Sequence, residues 1–149
     1  MIKLTNDQFA RAIHELLYQR LAAFCEEHTP EIPASSVVET WLTRLYNNDP
    51  SLHILVDWDT SKGIVGHAVI DVQSIYGHNV LFCHQVQGEK NSVVALNEGM
   101  EYIEKLAIAA NVECIALQAV KSTKALQQKY GFHITRTVMV KHIGDNNGH

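Results

Sequence analysis

Residues 80–132 read VLFCHQVQGEKNSVVALNEGMEYIEKLAIAANVECIALQAVKSTKALQQKYGF, and the fold turns on this stretch. Val80 to Val86 is a short apolar run rich in strand formers, and Val112 to Val120 is another. Continuous apolar runs of this length suit strands of a parallel pair, buried on both faces. Between them, Ser92 to Asn111 carries Val93, Leu96, Met100, Ile103, Leu106, Ala107 and Ala110 at helical spacing. Strand, helix and strand form one βαβ unit. A short helix then leads to Gly131-Phe132 and a last strand over Thr135 to Ile143, TRTVMVKHI, which alternates apolar and polar residues.

In such a unit the carboxyl end of the first strand and the amino end of the helix open on the same crevice. The first N–H groups of the helix have no internal partner there and attract anionic groups. A small-molecule site is therefore expected over residues 84–97.

Upstream segments read as cover for this unit. Ile2 to Leu4 suits a short edge strand, and a helix capped by Asn6 or Asp7 follows, with Phe9, Ile13, Leu16, Leu17, Leu21 and Phe24 on one face. It stops before Thr29-Pro30. A second helix starts near Ser35 or Ser36, with Glu39 in the capping-box position, and runs through Val38, Trp41, Leu42, Leu45 and Tyr46 to Asn47–Pro50. Leu52 to Trp58 is a strand, Asp59 to Gly63 a polar turn, Ile64 to Val72 the returning strand, and Ser74 to His78 the turn into the central strand. Helix and strand mix in a way that excludes all-α and all-β folds, so the class is α/β with a mixed sheet flanked by helices. Residues 1–143 are expected to form one domain and 144–149 a flexible tail.

From Ile64-Val65-Gly66, through Val80 to Val86, the long helix and the next strand, to Tyr130-Gly131-Phe132, the chain resembles the GCN5-related N-acetyltransferase (GNAT) superfamily over residues 33–143. With Val86 in the place of the valine that ends the family's fourth strand, no gap is needed through Ala107, Asn111, Val112, Ile115 and Leu117. The resemblance implies an acetyl-CoA-dependent N-acyltransferase, with main-chain groups of Gln85, Val86 and Gln87 along the pantetheine arm. The family's phosphate loop, Arg/Gln-x-x-Gly-x-Gly/Ala, falls on Asn91, Ser92, Val93, Val94, Ala95 and Leu96, so Val94 and Leu96 stand where glycines usually let the backbone approach a pyrophosphate. The family's frequent tyrosine acid falls on Gln127, with Tyr130 nearby, and its frequent glutamate base falls near Asn79 or Val80.

The sequence has 149 residues, 46% apolar and 19% charged, which fits one globular domain. A net charge of −4 and the lack of a basic stripe argue against nucleic-acid binding; Lys121, Lys124 and Lys129 read as a solvated helix face. No stretch reaches the ~18 uninterrupted apolar residues of a membrane span, and MIKLTNDQFAR lacks the apolar core of a leader, so a cytoplasmic location is expected. The three cysteines, Cys25, Cys83 and Cys114, show no metal or redox spacing. Cys83 and Cys114 lie in expected strands, where cysteine acts as a small apolar residue.

Nine histidines show no HExxH or HxH pattern, so no metal site is expected. His14, His28, His142 and His149 fall on helix surface, helix end or tail, and His53 and His133 at strand starts. A symmetric turn at Ser74–His78 places His67 opposite His84 across the strand pair. His84 is expected at the crevice, and histidine is a residue type suited to general-base work. Glu89 is the one carboxylate of the loop, Asp57, Asp59 and Asp71 lie in or just after the hairpin strands, and each reads first as a solvated turn or loop charge. The candidate catalytic groups are thus His84, Glu89 and Tyr130, with an amine of a small molecule or protein as acceptor. Two further readings stay open: a catalytically silent GNAT-like domain that binds a protein or metabolite, and a homodimer formed through the edge strand Thr135–Ile143.

Overall fold

The computed structural model describes residues 2–89, 93–118, 123–135 and 139–144. Strand β1 (Ile2–Lys3) precedes helices α1 (Gln8–Ala12), α2 (His14–His28) and α3 (Ala34–Tyr46); β2 (Leu52–Asp59), β3 (Gly63–Ile75) and β4 (His78–Gln87) then form a meander, followed by α4 (Val93–Ala109), β5 (Cys114–Leu117) and α5 (Thr123–Tyr130). The strands lie in sheet order β1-β2-β3-β4-β5, antiparallel up to β4, with β5 parallel to β4. The mixed sheet and its βαβ unit follow the sequence reading.

Two cores sandwich the sheet. Leu17, Leu21 and Cys25 of α2 and Val38, Leu42 and Leu45 of α3 bury against Leu52, Ile54, Val56 and Val69. On the other face Met100, Ile103 and Ala107 of α4 and Leu126 of α5 bury against Leu55, Ala68, Ile70, Leu81 and Cys83. Strand alternation explains the split, since neighbouring β2 residues such as Ile54 and Leu55 serve opposite cores.

The first helix differs from its expected form. Asp7 caps it by accepting from the Ala10 N–H at 3.0 Å, but the chain leaves helical geometry at Ile13, which separates α1 from α2. Its buried positions are Ala10, Ile13, Leu17, Leu21, Phe24 and Cys25, a stripe that turns Leu16 outward. Phe9 is 36% exposed and meets Trp58 edge-on, ring centroids 5.5 Å apart. The expected capping box at Ser35 or Ser36 does not form: Pro33 holds the cap position of α3 without a side-chain hydrogen bond, its fixed φ suiting a helix entrance.

The β3–β4 connection is a two-residue loop at Tyr76 (φ 51°) and Gly77 (φ 82°), both left-handed, as a twist-matched tight hairpin requires. The turn is therefore tighter than the Ser74–His78 reading. Cys114 lies exposed at the start of β5 rather than in the core, whereas Cys25 of α2 is buried. Of the last expected strand, Thr135 and Met139 to Ile143 are not in a strand, and residues 136–138 lie outside the described residues. Residues 145–149 of the expected tail lie outside them too. No helix is long and apolar enough to cross a membrane among the described residues.

The helix faces can be tested by stability. Leu21→Ala, at a fully buried position, should cost about 2–5 kcal/mol in chemical denaturation. Leu16→Ala, at a position 51% exposed, should stay within about 0.5 kcal/mol of the parent. Equal costs would mean that α2 presents a different face to the sheet.

Candidate functional site

A bulge in β4 builds the site. Ile70 pairs with Cys83 while Val69 pairs with Gln85, so His84 is an extra residue opposite no single partner. In a regular strand His84 and Gln85 would point to opposite faces. The inserted residue instead turns both toward α2 and α3. His84 meets Trp41 of α3, ring centroids 5.6 Å apart, and the Gln85 amide reaches the Leu21 carbonyl of α2 at 3.3 Å and Cys25 Sγ at 3.2 Å. The bulge also corrects the expected histidine pairing: His67 lies opposite Gln87, not His84, because the tight hairpin and the bulge each move the register.

His84 is held from below by a carboxylate. Its Nε2 lies 2.7 Å from Asp71 Oδ1, and the Asp71 Oδ2 accepts from Arg44 Nη1 at 3.1 Å. Gln73 Nε2 donates to Asp71 Oδ1 at 3.0 Å, and Arg44 continues through Nε to Asp49 Oδ2 at 2.8 Å and Nη2 to Ser51 Oγ at 3.1 Å. Asp71 is 5% exposed, so it is a buried charge rather than the solvated one expected. Burial pushes its carboxyl up, but the hydrogen bond and charge of His84, with Arg44 and Gln73, more than offset this and hold it below the ordinary value. An ionised Asp71 accepts the Nε2 proton, which leaves His84 Nδ1 as the basic atom. Phe82 flanks the imidazole, ring centroids 4.8 Å apart, and His84 lines a cavity of about 340 Å³ with Ser36, Val37, Thr40 and Trp41.

Beside this site runs a second polar chain. Arg20 Nε donates to His67 Nδ1 at 2.8 Å, and His67 Nε2 lies 2.8 Å from Gln85 Oε1. Since the Arg20 donor fixes Nδ1 as acceptor, Nε2 carries the proton and Gln85 Oε1 receives it. Both ring nitrogens of this fully buried histidine are satisfied in the neutral form. Burial is the main reason its pKa is lowered to about 4; Gln85 works against that shift and the Arg20 charge adds to it.

The other expected site residues are spread around this centre. Val86 packs on the α4 side of the sheet, and Gln87 ends β4, half-buried. Pairing of β4 with β5 stops at Cys83 and Leu117, so residues 84–87 have no strand partner on that side among the described residues. Glu89 is exposed and makes a loose 3.8 Å ion pair with Lys62. Tyr130 ends α5 and donates its hydroxyl to Asn97 Oδ1 of α4, on the sheet face opposite His84. The backbone of Val93, Val94, Ala95 and Leu96 opens α4, while Asn91 and Ser92 lie outside the described residues. Burial pushes the Cys83 thiol up to about 12, which keeps it protonated at neutral pH. Among the described residues no group of three or more His, Cys, Asp or Glu could hold a metal ion.

Asp71, Arg44 and Trp41 were missed by the sequence reading. A signal existed: Asp71 interrupts an otherwise apolar run in β3, and a carboxylate in such a place needs a buried cation or donor.

No protein-family model matches the sequence, and no curated protein matches it either. Solved structures do match in shape. A GCN5-related N-acetyltransferase from Ralstonia eutropha JMP134 superposes with a TM-score of 0.70 at 16% identity, covering 97% of each chain. A predicted acetyltransferase with acetyl-CoA from Clostridium acetobutylicum gives 0.68 at 17% identity, covering 95% of this chain and 94% of that one. An acetyltransferase from Trypanosoma brucei gives 0.62 at 15%, covering 95% and 97%. The chain has the fold of the GNAT acetyltransferases.

The neutral, buried state of His67 has a consequence in pH. Its pKa is depressed from 6.5 to about 4, so the unfolded chain takes up a proton that the folded chain refuses as pH falls through this window. Stability contributed at neutral pH should be lost between 6.5 and about 4, by up to roughly 3 kcal/mol. Chemical denaturation as a function of pH should show this slope in the parent. In His67→Gln it should flatten, though that variant is less stable at neutral pH; equal slopes would assign the loss to other groups.

Proposed function

We propose that the protein is an acetyl-CoA-dependent N-acetyltransferase in which His84 takes the proton of an acceptor amine. The observation that carries this reading is the buried Asp71 carboxylate 2.7 Å from His84 Nε2, beneath a cavity that His84 itself lines. The acetyltransferase fold supports the reaction class, and the acetyl-CoA in a structural neighbour supports the donor.

The residues present fit such a donor at one place. β4 runs past its last pairing with β5, so the main chain at His84 to Gln87 offers an open edge to an extended ligand bearing amide groups. The α4 amino terminus at Val93 follows that edge in the chain and carries the positive end of the helix dipole. Acetyl-CoA, when bound, supplies an acetyl group activated as a thioester. The chain's own residues do the rest. His84 Nδ1 accepts a proton from the amine, Asp71 stabilises the imidazolium that results, and Arg44 keeps Asp71 ionised. Trp41 and Val37 give the cavity an apolar wall, with Ser36 and Thr40 beside them and the Thr40 hydroxyl donated to the Ser36 carbonyl at 2.8 Å. The acceptor is a small-molecule or protein amine. A catalytically silent GNAT-like binding domain is the second reading, and Val94 and Leu96 in the glycine places of the phosphate loop favour it.

Titration calorimetry with acetyl-CoA, followed by an amine screen, separates the two. Saturable binding and turnover are expected, with His84→Ala slowing turnover by ~10²–10⁴. Asp71→Asn should slow it less than His84→Ala does and shift its pH optimum. Turnover unaffected by His84→Ala would remove the histidine from the mechanism. No heat with acetyl-CoA or CoA at millimolar concentration would remove the enzymatic reading.

A further inference from the structure

We propose that the cavity between α2 and the start of β3 is a binding subsite for a small carboxylate with an apolar body. The cavity, about 330 Å³, is lined by Leu16, Gln19, Arg20, Lys62 and Ile64. It is separate from the one that His84 lines and does not depend on the acetyl-transfer reading.

Its arginine donates to neutral groups. The half-buried Arg20 gives one N–H to His67 Nδ1 at 2.8 Å and one to the Ile64 carbonyl at 3.0 Å, both neutral acceptors. None of the ion pairs among the described residues involves Arg20. His67 brings no negative charge, since an imidazole is either neutral or cationic, and this one is fully buried and neutral. A guanidinium withdrawn from water without an anion is costly, and burial does hold Arg20 below its ordinary value. Lys62, the second cation of the cavity, has a 3.8 Å contact to Glu89 with both side chains more than 45% exposed. Such a pair is worth little and yields readily to a better-placed anion.

The remaining N–H groups of Arg20 form a planar fork that matches a carboxylate in two-point contact. Leu16 is 51% exposed at the same cavity, and Ile64 lies beside the guanidinium. These two side chains offer an apolar surface to the carbon body of the ligand. A phosphate would bring more charge and no apolar part to set against Leu16 and Ile64.

NMR titration of the isotope-labelled full chain with butyrate, its neutral isostere butyramide, and inorganic phosphate tests this. Butyrate should shift the Arg20 and Lys62 side-chain signals and the Leu16 methyls saturably, and bind at least about tenfold more tightly than butyramide. Arg20→Gln and Lys62→Gln should each weaken butyrate by about tenfold. Lys62 is 67% exposed on a turn, so its variant folds even if loss of the Arg20 contact to His67 does not permit folding of the other. Equal binding of butyrate and butyramide, no saturation at tens of millimolar, or undiminished binding in Lys62→Gln would overturn the proposal. Phosphate binding without butyrate binding would overturn the carboxylate assignment.

Discussion

One extra residue in β4 sets the geometry of the candidate site. A regular strand would send His84 and Gln85 to opposite faces, and one of them would enter the apolar core under α4. The bulge instead delivers both to the α2 and α3 face, where each has polar partners waiting: Asp71 for the histidine, and His67 and the Leu21 carbonyl for the glutamine. It also restores the alternation, so that Cys83 before it and Val86 after it both face the α4 side. The Gln85 side chain is the anchor. Buried and bonded through both its oxygen and its nitrogen, it cannot leave without stranding polar groups, at about 1–3 kcal/mol for each.

The two faces of the sheet divide the work. The α4 and α5 face is apolar across Leu55, Ala68, Ile70, Leu81, Met100 and Ile103 and supplies burial energy. The α2 and α3 face gives part of its area to His67, Asp71 and Gln85, the three buried polar residues among the described ones. Such networks rarely stabilise more than the apolar packing they displace, so their presence signals a task other than stability. That asymmetry separates His84 from Tyr130, whose hydroxyl is committed to Asn97 on the apolar side.

Most of the fold was legible because it rests on periodicity. The apolar runs of β4 and β5 and the helical spacing of α4 name their own partners. What stayed hidden depends on single residues whose effect is geometric. Tyr76 adopts a left-handed conformation that a tyrosine rarely takes, so the hairpin is tighter than its composition suggests. The bulge at His84 leaves no mark in the sequence, since Cys83, His84 and Gln85 would fit a regular strand equally well. A register set by that turn and that bulge could not be counted from the ends of the strands, and the His67–His84 pairing failed for this reason. Asp71 was obscured because its partners, Arg44 and His84, lie 27 and 13 residues away in the chain.

Arg44 makes the candidate site one mechanical unit. It sits near the end of α3 and binds Asp49 in the following loop, Ser51 before β2 and Asp71 in β3. Trp41 lies three residues earlier, on the same helical face, and forms the cavity wall over His84. The cavity wall and His84 are thus fixed to the same carboxylate, one through the helix and the other directly. An ion pair between two fully exposed side chains could not do this, because water would loosen it. Here Asp71 is 8% exposed in its side chain and Arg44 28%, and the pair is further constrained by Asp49, whose carboxyl is lowered to about 2, chiefly by the Ser51 hydroxyl and Arg44. A cavity assembled in this way is braced from two elements at once, because the helix that carries its wall and the strand that carries Asp71 are tied together through Arg44.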